Sequence, residues 1–240
     1  MVQKKIIIVG ATSGIGRKMA EFYIEEGHIV GITGRRLELL QQIKQQFPSL
    51  VEYECFDVTG KENIFHIKAL VEKLNGLDIL VISAGNGEVS KDLSWDVDKW
   101  TVETNVNGFV EIANWAFNFF IKQGHGRLAT ISSIAAIRGS SLAPAYNASK
   151  AFQSTYFEGL SIKAKRMKKD VSITCIEPGF VKTKMAKSNK LFWVVPVDKA
   201  ARQIITAIQK KKRKVYISRR WWIIAKLFKW MPYAILKRLV

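Results

Sequence analysis

Cysteine, histidine and proline are scarce in this chain, and each scarcity removes a class of answers. Two cysteines among 240 residues, Cys55 and Cys175, sit inside apolar runs with no C-x-x-C spacing, so neither a disulfide framework nor a thiolate centre is expected. A reducing compartment suits them. Three histidines, His28, His66 and His125, lie far apart without a ligand spacing and read as structural, and no metal site is expected. Five prolines and the lack of low-complexity sequence argue against a disordered or collagen-like chain. No apolar run is long enough to span a bilayer, and the stretch between Met-Val-Gln-Lys-Lys and Gly10 is too brief for a secretory segment. A cytoplasmic protein is expected. What is present is 48% hydrophobic and 24% charged residues, enough for one large core.

Acidic residues are missing from one stretch, the part after Asp198. Residues 199–240 hold thirteen Lys and Arg and no acid, while the first 198 residues hold 25 basic and 20 acidic residues, so the net charge of +18 sits mostly at the end. A basic excess confined there does not point to a nucleic-acid-binding fold face, and no nucleic-acid partner is expected. The division expected from this is a main domain over 1–198 and a basic amphipathic extension of it over 199–240.

Lys5 to Val9 is a short β-branched run ending at Gly10, as expected of a strand buried on both faces of a parallel sheet. Gly10-Ala11-Thr12-Ser13-Gly14-Ile15-Gly16 follows, and then a helical pattern over Arg17 to Glu26. Further strands are expected near Ile29 to Thr33, Val51 to Phe56, Ile79 to Ser83, Arg127 to Ser132 and Val171 to Ile176, with helical patterns between them. This alternation predicts a Rossmann-like, doubly wound parallel sheet of about seven strands flanked by helices, a three-layer α/β/α sandwich. Phe109, Trp115, Phe117, Phe119 and Phe120 gather on one long helix, as core or as a subunit interface.

A strand that stops at a glycine and restarts as a helix aims free backbone N–H groups and the positive helix end at one place, which suits a phosphate. Gly10 permits the turn, Gly14 lets the backbone approach a pyrophosphate, and Gly16 lets helix and strand pack closely. At the end of the second strand, where a free ribose 2′-hydroxyl would want a carboxylate, the chain reads Thr33-Gly34-Arg35-Arg36. The Arg35 guanidinium can instead fork onto a 2′-phosphate, so NADP(H) is expected in preference to NAD(H). Arg17 is a second basic candidate.

Tyr146-Asn147-Ala148-Ser149-Lys150 places a phenol and an ammonium one helical turn apart. A fixed cation nearby favours the phenolate and is expected to draw the phenol pKa down from ~10. Upstream, Ser132-Ser133 ends a strand at the carboxyl edge of the sheet, where such folds bind ligands.

With these motifs the sequence resembles the single-domain type of the short-chain dehydrogenase/reductase family over roughly residues 5–185. The match includes Gly10, Gly14 and Gly16; Asp57-Val58; Ser83-Ala84-Gly85; Asn105 in Asn-Val-Asn-Gly; Ser133, Tyr146 and Lys150; and Pro178-Gly179 with Thr183. The family usually shows Asn-Asn-Ala-Gly where this chain has Ile82-Ser83-Ala84-Gly85. The resemblance implies that Tyr146 is the general acid/base and that Ser133 hydrogen-bonds the substrate oxygen. It implies that Lys150 holds the nicotinamide ribose and lowers the tyrosine pKa, and that Asn105 anchors a water-linked proton relay. It also implies cofactor contacts from Thr12, Ser13 and Ile15 with the three glycines, from Asp57 and Val58 at the adenine, from Ala84 and Gly85, and from Pro178, Gly179 and Thr183 at the nicotinamide end. The implied activity is NADPH-dependent reduction of a ketone or aldehyde, or the reverse, by a homo-oligomer (dimer or tetramer). The alternative is a non-catalytic NADP(H)-binding sensor or scaffold.

Over 219–240, Trp221, Ile224, Phe228, Leu236 and Leu239 fall on one side of a helical projection and Arg219, Lys226, Lys229 and Lys237 on the other, with Pro232 dividing the stretch. An apolar face opposite purely basic charge suits an anionic membrane surface, which would make the protein peripheral on the inner face of a membrane. The alternatives are docking on a partner subunit or over the substrate cleft, and a membrane location would favour a hydrophobic or lipid-like substrate.

Overall fold

The structure, a computed structural model, describes residues 2–90, 92–183 and 192–239. The chain runs through β1 (Lys5–Val9), α1 (Gly14–Glu25), β2 (Ile29–Gly34), α2 (Leu37–Gln46), β3 (Val51–Cys55), α3 (Asn63–Lys73) and β4 (Ile79–Ile82). It continues with α4 (Trp95–Val102), a π-helical turn at Glu103–Gly108, α5 (Phe109–Gln123), β5 (His125–Ile131), a 3-10 turn at Ile134–Ala136 and α6 (Pro144–Arg166). Then come β6 (Asp170–Pro178), α7 (Val197–Gln209), β7 (Lys214–Ile217), α8 (Trp221–Trp230) and α9 (Tyr233–Leu239).

The seven strands form one sheet in the order β3-β2-β1-β4-β5-β6-β7, every pair parallel. Parallel strands need covers on both faces, and the alternation along β1 supplies them. Ile6 and Ile8 pack with Met19 and Tyr23 of α1, Leu40 of α2 and Ile204 of α7, whereas Ile7 and Val9 pack with Leu70 of α3, Phe109 and Phe120 of α5 and Phe157 of α6. Strand order reverses between β1 and β4, so a crevice opens beyond their carboxyl ends. Of the aromatic group on α5, Phe109, Phe117 and Phe120 are core, and Trp115 and Phe119 stack on each other half-buried.

Asp198, the last acid of the chain, is the second residue of α7, which packs along α1, and β7 completes the sheet, so residues 199–217 are built into the same sheet and core. Charge counting misses this, since α7 turns Ala200, Ala201, Ile204, Ile205 and Ile208 inward and keeps its charges outside. The helical face expected to meet lipid is also turned inward. Trp221 is 3% exposed, Leu236 is buried, and Ile224 and Phe228 are half-buried, while Trp222, Ile223, Leu227 and Trp230 face outward. A helical projection does not show which of two apolar faces the protein itself will cover; the side chain of Leu239 lies outside the described residues.

Candidate active site

Between β1 and α1 the loop is as tight as its glycines suggest. A Cβ on Gly16 would lie 2.2 Å from the Gly10 oxygen and 2.9 Å from Ser83 Oγ, so no side chain fits. The small Ser83 thereby fills the place beneath the start of α1. Gly14 has φ of +58° and faces Thr183, whose Cγ2 lies 3.5 Å from the place of a Gly14 Cβ. Thr183 thus stands over the glycine loop, and both line a cleft of about 460 Å³ with Ser13, Arg17, Lys18, Glu21 and Lys182. The first turn of α1 carries no acid, and Ser13 makes no side-chain cap, so its N–H groups are left for a ligand. That free N–H cradle among basic side chains fits a pyrophosphate. Ile15 packs half-buried against the core, and Arg17 is tied to Glu21 at 2.9 Å.

At the end of β2 the two arginines divide their work. Arg35 Nη1 reaches Asp57 Oδ2 at 3.3 Å, and its guanidinium lies over the Trp100 ring. Burial works against the Asp57 charge, yet the Thr59 amide and Arg35 hold its carboxyl below the usual range. Arg36, absent from the expected site, donates to Thr12 Oγ1 at 2.6 Å and to Ser13 Oγ at 2.9 Å. It is the arginine that touches the loop. Val58 is buried beside them, with its carbonyl accepting from Asn63 Nδ2.

The chemistry-bearing side chains gather where β5 ends and α6 begins. Ser132 Oγ donates to the Lys150 carbonyl at 2.9 Å, tying strand to helix, and Ser133 caps the 3-10 turn by accepting from the Ala135 N–H. The Ser133 hydroxyl lies close enough to the Tyr146 phenol to favour the phenolate. On α6, Lys150 Nζ lies 5.8 Å from the Tyr146 ring centre and donates to the Ile131 carbonyl and to Gln153 Oε1, both at 3.0 Å. Gly85 is bare because both Asn105 Oδ1 and Lys150 Nζ stand 3.3 Å from where its Cβ would be. The Asn105 side chain accepts from the Asn86 N–H and donates to the Asn86 carbonyl, both at 2.8 Å, and so fixes the segment after β4. Ala84 N–H returns to the Val9 carbonyl at 2.8 Å, holding that segment against the glycine loop.

Burial pushes the Tyr146 phenol above its ordinary value, and the Ser133 hydroxyl only partly opposes this. The expected fall in the tyrosine pKa is therefore reversed in this arrangement, because removal from water outweighs its polar neighbours. Burial likewise lowers Lys150 to about 8.

Pro178 ends β6 and Gly179 follows it, with its N–H donating to the Ile217 carbonyl at 2.7 Å. A Cβ on Gly179 would lie 2.0 Å from the Trp221 ring, so the first residue of α8 packs directly on this backbone. Phe180 and Phe192 meet the same ring edge-on and tilted, with centres 5.3 and 5.1 Å away. Residues Gln153, Arg36 and Trp221 were not legible as part of the site, because their roles depend on contacts between separate elements.

Residues 4–191 match the family model described as short chain dehydrogenase. An uncharacterized oxidoreductase of Myxococcus xanthus (strain DK1622) is 34% identical over 195 residues, covering 79% of this chain and 76% of that protein. One from Mycobacterium tuberculosis (strain ATCC 25618 / H37Rv) is 28% identical over 241 residues, covering 96% and 94%. The fold is shared with 3-ketoacyl-(acyl-carrier-protein) reductase from Brucella melitensis complexed with NADH, at a TM-score of 0.80, 20% identity and 90% and 98% coverage. It is shared equally with ElxO with NADP bound, at a TM-score of 0.78, 21% identity and 90% and 97% coverage.

Proposed function

The chain belongs to the short-chain dehydrogenase family of NAD(P)-dependent oxidoreductases, and on that premise we propose that it reduces a hydrophobic ketone or aldehyde to the alcohol, or runs the reverse, with Tyr146 as general acid/base. The observation that carries this reading is the convergence of the Tyr146 phenol, the neighbouring Ser133 hydroxyl and the buried Lys150, whose Nζ lies 5.8 Å from the tyrosine ring centre. A bound nicotinamide cofactor supplies a hydride to the carbonyl carbon. As negative charge builds on the carbonyl oxygen, Ser133 donates a hydrogen bond and Tyr146 transfers its phenolic proton, leaving an alcohol and a phenolate. Lys150 stabilises that phenolate, and in the reverse direction the phenolate takes the proton back.

Gly14, Ser13 and the first turn of α1 would hold the cofactor pyrophosphate, and Arg35 and Arg36 support NADP(H) over NAD(H). Exposed Val89, Leu93, Leu142, Phe192 and Trp193 near the segments that lead into the site support an apolar substrate. In Tyr146→Phe, turnover of a hydrophobic ketone should fall by at least ~10²-fold, while cofactor binding followed by tryptophan fluorescence stays within about threefold. Near-normal turnover would remove Tyr146 from the reaction.

The C-terminal helices are read as a contact with an anionic membrane surface. Trp222, Ile223, Leu227 and Trp230 are exposed on the outward side of α8, Tyr233 and Ile235 on α9, and every charge among them is basic. Apolar rings among cations suit a headgroup layer, each nearby cation adding about 1 kcal/mol.

A further inference from the structure

One turn after Lys150 on α6 lies Gln153, whose side chain is enclosed at 1% exposure. Its amide joins two elements. Oε1 accepts from Lys150 Nζ at 3.0 Å, and Nε2 donates to the main-chain carbonyl of Asn105 at 2.9 Å.

We infer that Gln153 is a positioning residue that clamps the Lys150 ammonium to the π-helical turn of Asn105 and so sets how strongly that cation acts on Tyr146. This inference rests on the proposed roles of Tyr146 and Lys150. A buried ammonium needs acceptors, and the contacts of Lys150 Nζ are the Ile131 carbonyl from β5 and the Gln153 amide from its own helix. The Asn105 side chain is occupied by Asn86 and Ser149, which leaves its carbonyl to bond α6. A π-helical turn widens the backbone at this point, and such turns often mark functional sites. Gln153 spans the two groups that the family resemblance would link through water, and a neutral amide neither gains nor loses a proton near neutral pH. It holds the cation without serving as a step in proton transfer.

Two substitutions of similar size separate positioning from support of the fold, since they change the amide in opposite senses. Gln153→Met removes the acceptor and favours the neutral amine, so the phenolate should form at higher pH. Gln153→Glu supplies a carboxylate and favours the ammonium, so the phenolate should form at lower pH. Two readouts follow it: the acidic limb of the pH profile of kcat for alcohol oxidation, and an ultraviolet difference titration of the cofactor-free protein against the same variants carrying Tyr146→Phe. We expect both to move up by about half a pH unit or more in Gln153→Met and down in Gln153→Glu. In Gln153→Met, kcat should fall at least tenfold with substrate KM changed less than threefold. Should Gln153→Met fail to fold, the downward shift in Gln153→Glu alone carries the test. Unmoved limbs and titrations in the folded variants overturn the clamp while leaving the reaction standing, whereas an active Tyr146→Phe overturns the reaction itself.

Discussion

The Lys150 ammonium is held in a place water does not reach, and its burial should be visible in stability. Burial lowers its pKa from 10.5 to about 8, so between those values the unfolded chain binds a proton that the folded chain does not. Stability then rises with pH across that window, and below about 8 the full cost, roughly 3 kcal/mol, remains. Lys150→Met should therefore raise the denaturant midpoint near neutral pH and lose most of that gain as pH approaches 10.5. A gain constant across the range would mean that burial of the charge is not its source. Arg36 makes a second residue-level case, since its guanidinium bonds both hydroxyls of the glycine loop. Arg36→Glu should move the ratio of NADPH to NADH affinities at least tenfold toward NADH, read by fluorescence titration with each cofactor. An unchanged ratio would leave Arg35 as the discriminating arginine.

Among the elements, α8 begins with a ring laid on the bare backbone of Gly179 and ends with the Met231 carbonyl accepting from Arg138. Gly179→Ala would place a methyl group inside the Trp221 ring, and overpacking of this kind costs about 1–3 kcal/mol. The expected result is faster proteolysis after Arg219 and Arg220 with the sheet's circular dichroism unchanged; equal cleavage rates would show that the ring moves aside. The same comparison explains what the sequence disclosed. Gly10, Gly14 and Gly16, and the four-residue step from Tyr146 to Lys150, were readable because the turn and the helix that place them are local. The strand β7 was not, because its four residues are flanked by Lys210 to Arg213 and by Arg219 and Arg220, which make the segment look solvated. Gln153 looked like any polar residue on a helix, and only the approach of Asn105 gives its amide a purpose.

For the whole molecule, the sheet and its helices carry the candidate site, while α8 and α9 carry exposed Trp222, Trp230 and Tyr233 with four cations, Lys226, Lys229, Lys237 and Arg238, and no acid. Vesicles containing phosphatidylglycerol should float the protein at low salt, and vesicles of phosphatidylcholine alone should float little of it. High salt should weaken the first result through screening. Replacing Trp222, Leu227 and Trp230 by serine should abolish flotation without altering turnover of a water-soluble ketone. Flotation unaffected by that change, or its replacement by a change in oligomeric state, would assign the outward face to another partner.

The contact between Gly179 and Trp221 also has an evolutionary reading. A position that can hold no side chain while an indole lies across it is free to vary only after the indole has gone. Across orthologues, tryptophan at 221 should therefore be lost together with glycine at 179 or before it, with a small residue at 221 appearing before any larger one at 179. Lineages that shed the last two helices altogether should be the first to show alanine or serine after the proline.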